Sequence, residues 1–245
     1  MKLIILAAGQ GKRLNSEKLQ IPKVMRLACG KPLMAYVLDA ADFVEDKDVY
    51  AVVGFCKEAV MKAFPTLNFV EQTERKGTGH ALMCAADAIK DYDGDVMVIN
   101  GDMPMFKKET IRSIAKAHRE AGVACTMATF IVKGEIPPFG HIVRDGDGFV
   151  GAIVEHKDAT DEQKLIRELN AGLYIFKAAP MLKALEKLSP SPVTGEYYLT
   201  ELMALLEAMG EKTKPFVLED ESEVLGVNTE EDLATVESML KNRNF

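Results

Sequence analysis

Leu3-Ile4-Ile5-Leu6-Ala7-Ala8-Gly9-Gln10-Gly11-Lys12-Arg13 is an aliphatic run that breaks into a glycine turn. A bounded apolar run of this length reads as a buried strand, and glycines directly after it let backbone N–H groups approach an anion. Outward from it the same unit recurs. Strands are expected at Leu3–Leu6, Val49–Val53, Phe69–Gln72 and Val96–Asn100, with helices near Met34–Phe43, Lys57–Phe64 and His80–Ile89 between them. Beyond Asp102, Ile111, Ile114, Ala115 and His118 share one face of a further amphipathic helix, which makes His118 a helix-face residue. Short strands alternating with helices predict an α/β protein, a Rossmann-like, mostly parallel mixed sheet with helices on both faces.

From Ala124 the pattern changes. β-type runs such as Thr126–Val132 and a glycine-marked hairpin around Val143–Val154 predict a small β-rich subdomain. The segment Ser189-Pro190-Ser191-Pro192 reads as a loop, Leu199, Leu202, Met203 and Leu206 as a helix ending at Gly210, and a last helix follows Asn228. No internal repeat or linker-like stretch divides the chain. One domain over 1–245 is expected, with a part at 1–123, a second at 124–228 and a C-terminal helix at 229–245.

The chain of 245 residues is 48% hydrophobic and 27% charged, an ordinary globular composition. A net charge of −7 argues against nucleic acid or an anionic membrane as partner. No apolar stretch reaches a membrane span, and Cys29, Cys56, Cys84 and Cys125 form no C-x-x-C pair. The cysteines are expected as small buried hydrophobes, and a reducing cytoplasm as the compartment.

The glycine turn is not a dinucleotide fingerprint. Leu14 stands where the third glycine belongs, and Val53-Gly54 lacks an acidic residue for a ribose. Nor does it end in the G-K-[ST] of a P-loop. It offers instead Arg13 within the turn and Lys23 after Pro22, two cations near a backbone nest suited to a triphosphate. Taken alone each reads first as a solvated surface charge; their position at the C-terminal end of strand one, where open α/β sheets bind ligands, shifts the reading toward a ligand role.

The opening L-A-A-G-x-G-x-R with Pro22-Lys23 resembles the signature of sugar-nucleotide pyrophosphorylases. Later segments narrow the resemblance to the uridylyltransferase half of the bifunctional GlmU-type enzymes. These are Gln72-Thr73-Glu74 with Gly77-Thr78-Gly79-His80, Gly101-Asp102-Met103-Pro104, and Gly140 ahead of Ile142-Val143-Arg144. Glu155-His156-Lys157-Asp158-Ala159-Thr160, Asn170-Ala171-Gly172, Gly195-Glu196-Tyr197-Tyr198-Leu199-Thr200 and Val224-Leu225-Gly226-Val227-Asn228 complete the set, in family order.

The resemblance implies the nucleotide-diphospho-sugar transferase fold and an Mg²⁺-dependent reaction of UTP with N-acetylglucosamine 1-phosphate, giving UDP-N-acetylglucosamine and pyrophosphate. It assigns Arg13 and Lys23 to catalysis, and Leu6, Ala8, Gly9, Gly11, Gln72, Gly77 and Thr78 to the nucleotide. Gly140, Glu155, Asn170, Tyr198 and Thr200 fall to the sugar, and Asp102 and Asn228 to Mg²⁺. The chemistry is consistent, because a sugar phosphate is already a dianionic nucleophile at neutral pH and requires charge neutralisation rather than a general base. Local readings compete at three positions: Asp102 as a turn former, Asn228 with Glu231 as a capping box, and Thr78 as an N-cap. His80, His141 and His156 show no metal spacing and read as structural. Three departures stand out: a longer interval between Arg13 and Lys23, Asn100 where the family usually carries Tyr, and no hexapeptide repeats for an acetyltransferase β-helix. A related pyrophosphorylase for another sugar phosphate or for thymidine triphosphate, and a sugar-nucleotide-binding protein without turnover, are the other readings.

Overall fold

The computed structural model describes residues 1–243. Its opening run is β1 (Lys2–Leu6), followed by the helical turn α1 (Ser16–Leu19), the small hairpin β2 (Leu27–Ala28) and β3 (Lys31–Pro32), and α2 (Leu33–Ala40). Three strand–helix units succeed it: β4 (Val49–Val53) with α3 (Lys57–Ala63), β5 (Asn68–Glu71) with α4 (Thr78–Ile89), and β6 (Asp95–Asn100) with α5 (Lys108–Ala121). Then come β7 (Cys125–Ile131), the hairpin β8 (His141–Arg144) and β9 (Val150–Val154), and the long β10 (Glu168–Lys177). Helices α6 (Ala178–Leu185) and α7 (Leu202–Ala208), strand β11 (Thr213–Val217) and helix α8 (Glu230–Asn242) complete the chain.

The main sheet runs β11-β7-β10-β6-β1-β4-β5, with β8 and β9 attached beside β10. Strands β6, β1, β4 and β5 are parallel, and β10 is antiparallel to both of its neighbours. The mixed, mainly parallel sheet expected from the alternation is therefore present. Its central strands β1, β4 and β6 read as nearly unbroken apolar runs because both faces are covered. Leu3 and Ile5 pack with Met34 and Val37 of α2 and Ile111 and Ile114 of α5. Ile4, on the opposite face, packs with Leu82 of α4, Met181 of α6 and Met203 of α7. A third cluster, Leu14, Leu33, Met105, Val227, Leu233 and Val236 among others, seats α8 beside the sheet's end.

The face of α5 is as expected. His118 is buried, its Nδ1 3.0 Å from Thr126 Oγ1, and burial pushes its imidazole below the ordinary histidine range. Two cap positions differ from the sequence reading. The last helix is capped by Thr229 rather than Asn228, in a capping box with Asp232 rather than Glu231, and α4 is capped at Gly77 rather than Thr78. Only Cys125 among the cysteines is buried; Cys29 is exposed and Cys56 and Cys84 are half-buried. Cys29 and Cys56 sit in turns between elements, at left-handed φ of 49° and 48°, rather than on a core-facing strand or helix. Residues 244 and 245, at the end of the helix expected over 229–245, lie outside the described residues. No helix among them is long and apolar enough to cross a membrane.

Candidate active site

Strand β1 pairs with β4 on one side and β6 on the other, so the strand order reverses at β1 and a crevice opens beyond its C-terminal end. Backbone hydrogen bonds fix its walls: Gly101 N donates to Leu6 O (3.0 Å) and Gln72 N to Val53 O (2.8 Å). The cavity, about 480 Å³, is lined by Leu6, Ala8, Gly9, Lys23, Gln72, Gly77, Thr78 and Asp102 from the first part of the chain, and by Glu155 and Tyr198 from the second.

The glycine turn and Lys23 are packed against each other. Gly11 has φ 71°, and a Cβ there would lie 2.9 Å from Lys23 Cβ, so only glycine permits the approach. The long interval before Lys23 is taken up by α1, flanked by left-handed Asn15 and Gln20. Lys23 Nζ forms an ion pair with Asp102 Oδ2 and donates to Asn228 Oδ1 at 2.8 Å. Residues far apart in sequence meet here because Val227 N donates to Asp102 O (3.0 Å). Asp232 Oδ2 accepts from both Asn228 N and Thr229 N, and Arg26 holds Glu230 through two 2.8 Å contacts, so the start of α8 is pinned beside Asp102. Arg13, on the turn Lys12–Leu14, is exposed, forms no ion pair among the described residues and lies outside the cavity lining.

Gln72 is buried, its Nε2 donating to Gly77 O (3.0 Å) and standing 3.0 Å from His80 Nδ1. Gly77, φ 104°, faces the Tyr197 carbonyl where any Cβ would collide, and Gly79 N donates to Tyr197 O at 2.7 Å. Thr78 Oγ1 accepts from Leu199 N (3.1 Å), which is why its hydroxyl does not cap α4. These contacts dock the 196–199 loop onto the Gly77–Gly79 turn and close the two halves of the cavity.

On the far wall the polar groups are bonded to one another. Thr200 Oγ1 donates to Glu155 Oε1 (2.7 Å), and burial raises the Glu155 carboxyl above its ordinary range against that hydrogen bond. Gly140 backs this pair: a Cβ there would sit 3.7 Å from Glu155 Oε1 and 3.6 Å from Asn170 Cβ. Asn170 lies behind the lining. Its Nδ2 donates to Tyr174 OH (2.6 Å) and its Oδ1 accepts from Gly172 N (2.9 Å), shaping the bulge in β10. Tyr198 OH shares a 2.7 Å hydrogen bond with Thr194 Oγ1. His141 Nε2 lies 3.1 Å from His156 Nδ1 and its Nδ1 3.0 Å from Ile166 O, so both rings are engaged with the protein.

Five further lining residues had no site role in the sequence reading, Gln10, Val24, Arg75, Ala81 and Glu196, and Asn100, noted there as a departure, lines the cavity as well. Arg75 donates to Gln10 Oε1 at 2.5 Å across the mouth. A cation between Gln72 and Gly77 was the visible signal for it.

The sequence matches the MobA-like NTP transferase domain family over residues 3–211. The chain belongs to that family. Within it, the chain is 38% identical over 242 residues to the bifunctional protein GlmU of Pelotomaculum thermopropionicum and 40% identical over 248 residues to that of Koribacter versatilis. Those matches cover 98% of this chain and 52% and 51% of the relatives, so it spans about half their length. A crystal structure of UDP-glucose pyrophosphorylase with UDP-glucose superposes with a TM-score of 0.74 at 18% identity, over 99% of each chain, and shares the fold. The MobA-like chain described here is a nucleotidyltransferase.

Proposed function

We propose that this nucleotidyltransferase transfers UMP from UTP to N-acetylglucosamine 1-phosphate, releasing pyrophosphate. The observation that carries the reading is the convergence, in one cavity, of the glycine turn with Lys23 and Asp102 on one side and Glu155 with Tyr198 on the other, Asn228 and Thr200 standing behind the lining and bonded to Lys23 and Glu155. The names of the GlmU relatives and of the pyrophosphorylase neighbour support it.

In the reaction a phosphate oxygen of the sugar phosphate forms the new bond to the α-phosphorus, and the bond from that phosphorus to the β-phosphate bridge breaks. The nucleophile is a dianion at neutral pH, so no side chain has to remove a proton. The protein's work is to bring two anions together and neutralise them. Backbone N–H groups of the glycine turn face the phosphates and Lys23 supplies charge from the turn's other side, while Arg13, exposed outside the cavity lining, is the second cation of the reading. Gln72, with its nitrogen committed to Gly77 O, presents its carbonyl oxygen to a base N–H. Glu155, oriented by Thr200, accepts from a sugar hydroxyl or amide.

Asp102 and Asn228 suit Mg²⁺. Both aim a side-chain oxygen at one positive centre, now Lys23 Nζ, and Mg²⁺ favours one or two protein oxygens with phosphate and water completing the shell. When bound there it would neutralise charge on the triphosphate. Asn100 in the lining, where an aromatic residue is usual, favours as second reading a sugar carrying a different polar substituent. The test is UTP labelled at the α-phosphate: the label is expected in the sugar nucleotide, with unlabelled pyrophosphate released. Label retained in UTP, or freed as UMP, contradicts the proposal.

A further inference from the structure

Lys23 stands where a metal would. Its ammonium holds the one carboxylate oxygen and the one amide oxygen that Asp102 and Asn228 direct toward each other, and all of this lies in a largely buried spot, with side-chain exposures of 14% for Lys23 and 18% for Asp102. An ammonium and a divalent ion cannot hold the same two oxygens at once. Without other ligands the Lys23–Asp102 pair is neutral, so the site exerts little net attraction on a free cation. The stem of Lys23 also packs on Gly11, whose backbone belongs to the turn that faces the phosphates.

We propose that Lys23 is the resident counter-ion of the Asp102–Asn228 site in the free protein, and that it gives up those oxygens only when a nucleoside triphosphate draws its ammonium away. The metal is then taken up with the nucleotide, not before it. This rests on Asp102 and Asn228 being the metal ligands. The phosphates act on Lys23 twice: they offer its charge a stronger partner than one carboxylate, and they seat on the turn against which its stem is packed. A lysine here does two jobs in succession, blocking a stray metal and then neutralising substrate.

The experiment is Mn²⁺ binding to the whole protein followed by water-proton relaxation, comparing wild type, Lys23→Met and the double variant Lys23→Met/Asp102→Asn, with thermal melting as the folding control. Lys23→Met is expected to bind Mn²⁺ alone at least about tenfold more tightly than wild type, since a full positive charge has been removed from contact distance. With UTP present that advantage is expected to vanish. Equal Mn²⁺ affinities for wild type and Lys23→Met, with binding lost in the double variant, overturn the inference while leaving the metal ligands in place. Binding by the double variant as tight as by Lys23→Met shows instead that Asp102 is no ligand, and the underlying reading falls with it. Should the Met variant melt early, Lys23→Gln gives the same comparison.

Discussion

The two walls of the cavity are built differently. The nucleotide wall, at the ends of β1, β5 and β6, consists of backbone turns and long side chains: the glycine turn, Lys23, and Arg75 reaching across to Gln10. The opposite wall is Glu155, just past β9, with Glu196 and Tyr198, and behind it runs a short hydrogen-bonded net in which Thr200 holds Glu155, and Asn170 holds Gly172 and Tyr174. On the proposed function, the first wall offers charge to phosphates on long side chains, whereas the carboxylate offered to the sugar is held by its hydrogen bond before a substrate arrives. The difference predicts that nucleotide-wall variants lose turnover and that far-wall variants lose discrimination.

The largest expected effect is Asp102→Ala. Removing the carboxylate from the centre of this wall should lower kcat by roughly 100-fold or more in a protein that still folds, with some loss of melting temperature because Lys23 is left without its partner. Steady-state pyrophosphate release and a thermal melt on the same preparation check it; near-normal turnover at saturating Mg²⁺ would break the contrast between the walls.

Gly77→Ala comes next, because it attacks the joint between them. The Cβ meets the Tyr197 carbonyl at φ 104°, so the 196–199 loop must move, at a cost of about 1–3 kcal/mol. The expected outcome is a lower melting temperature together with higher KM for both substrates. A rise confined to UTP would assign Gly77 to the nucleotide wall alone.

The smallest is Glu155→Gln. KM for the sugar phosphate should rise by roughly tenfold, the scale of one hydrogen bond to a charged group, while KM for UTP stays put. The same variant has a signature in stability. Burial, with Asp158 and Glu201 nearby and opposed by Thr200 and His141, holds the Glu155 carboxyl above its unfolded value. Its contribution to stability is therefore complete below the unfolded pKa and lost as pH rises through the folded one. The melting temperature of Glu155→Gln should gain on wild type as pH rises above the ordinary glutamate pKa of about 4.3. A constant difference would show that Glu155 does not titrate in this range.

The glycine turn was the more legible in sequence because a strand and its turn are contiguous; which cation joins it was not, since the adjacent Arg13 lies outside the lining and the more distant Lys23 lies within it. The central parallel strands β1, β4 and β6 were legible because double burial leaves them nearly unbroken apolar runs, whereas β11, parallel to β7 but reading Thr213-Lys214-Pro215-Phe216-Val217, carries no such run and was missed. What escaped was set by long-range competition for single groups. Asn228 and Thr229 are both good cap formers with an acid three residues on, and nothing local chooses between them; Asn228 is spoken for by Lys23, so Thr229 caps. The hydroxyl of Thr78 is likewise taken by Leu199 N, and the cap passes to Gly77. The bulge at Gly172 and the place of Asn170 behind the lining depend on pairings that only the folded sheet creates.

Sugar choice tests the central claim most directly, since it asks whether the fixed wall reads an acetamido sugar. With UTP saturating, kcat/KM for N-acetylglucosamine 1-phosphate should exceed that for glucose 1-phosphate by at least roughly tenfold, because a wall placed for an amide leaves its polar groups unpaired when the amide is missing. Equal values, or a preference for glucose 1-phosphate, would contradict the account and make Asn100 the first residue to change.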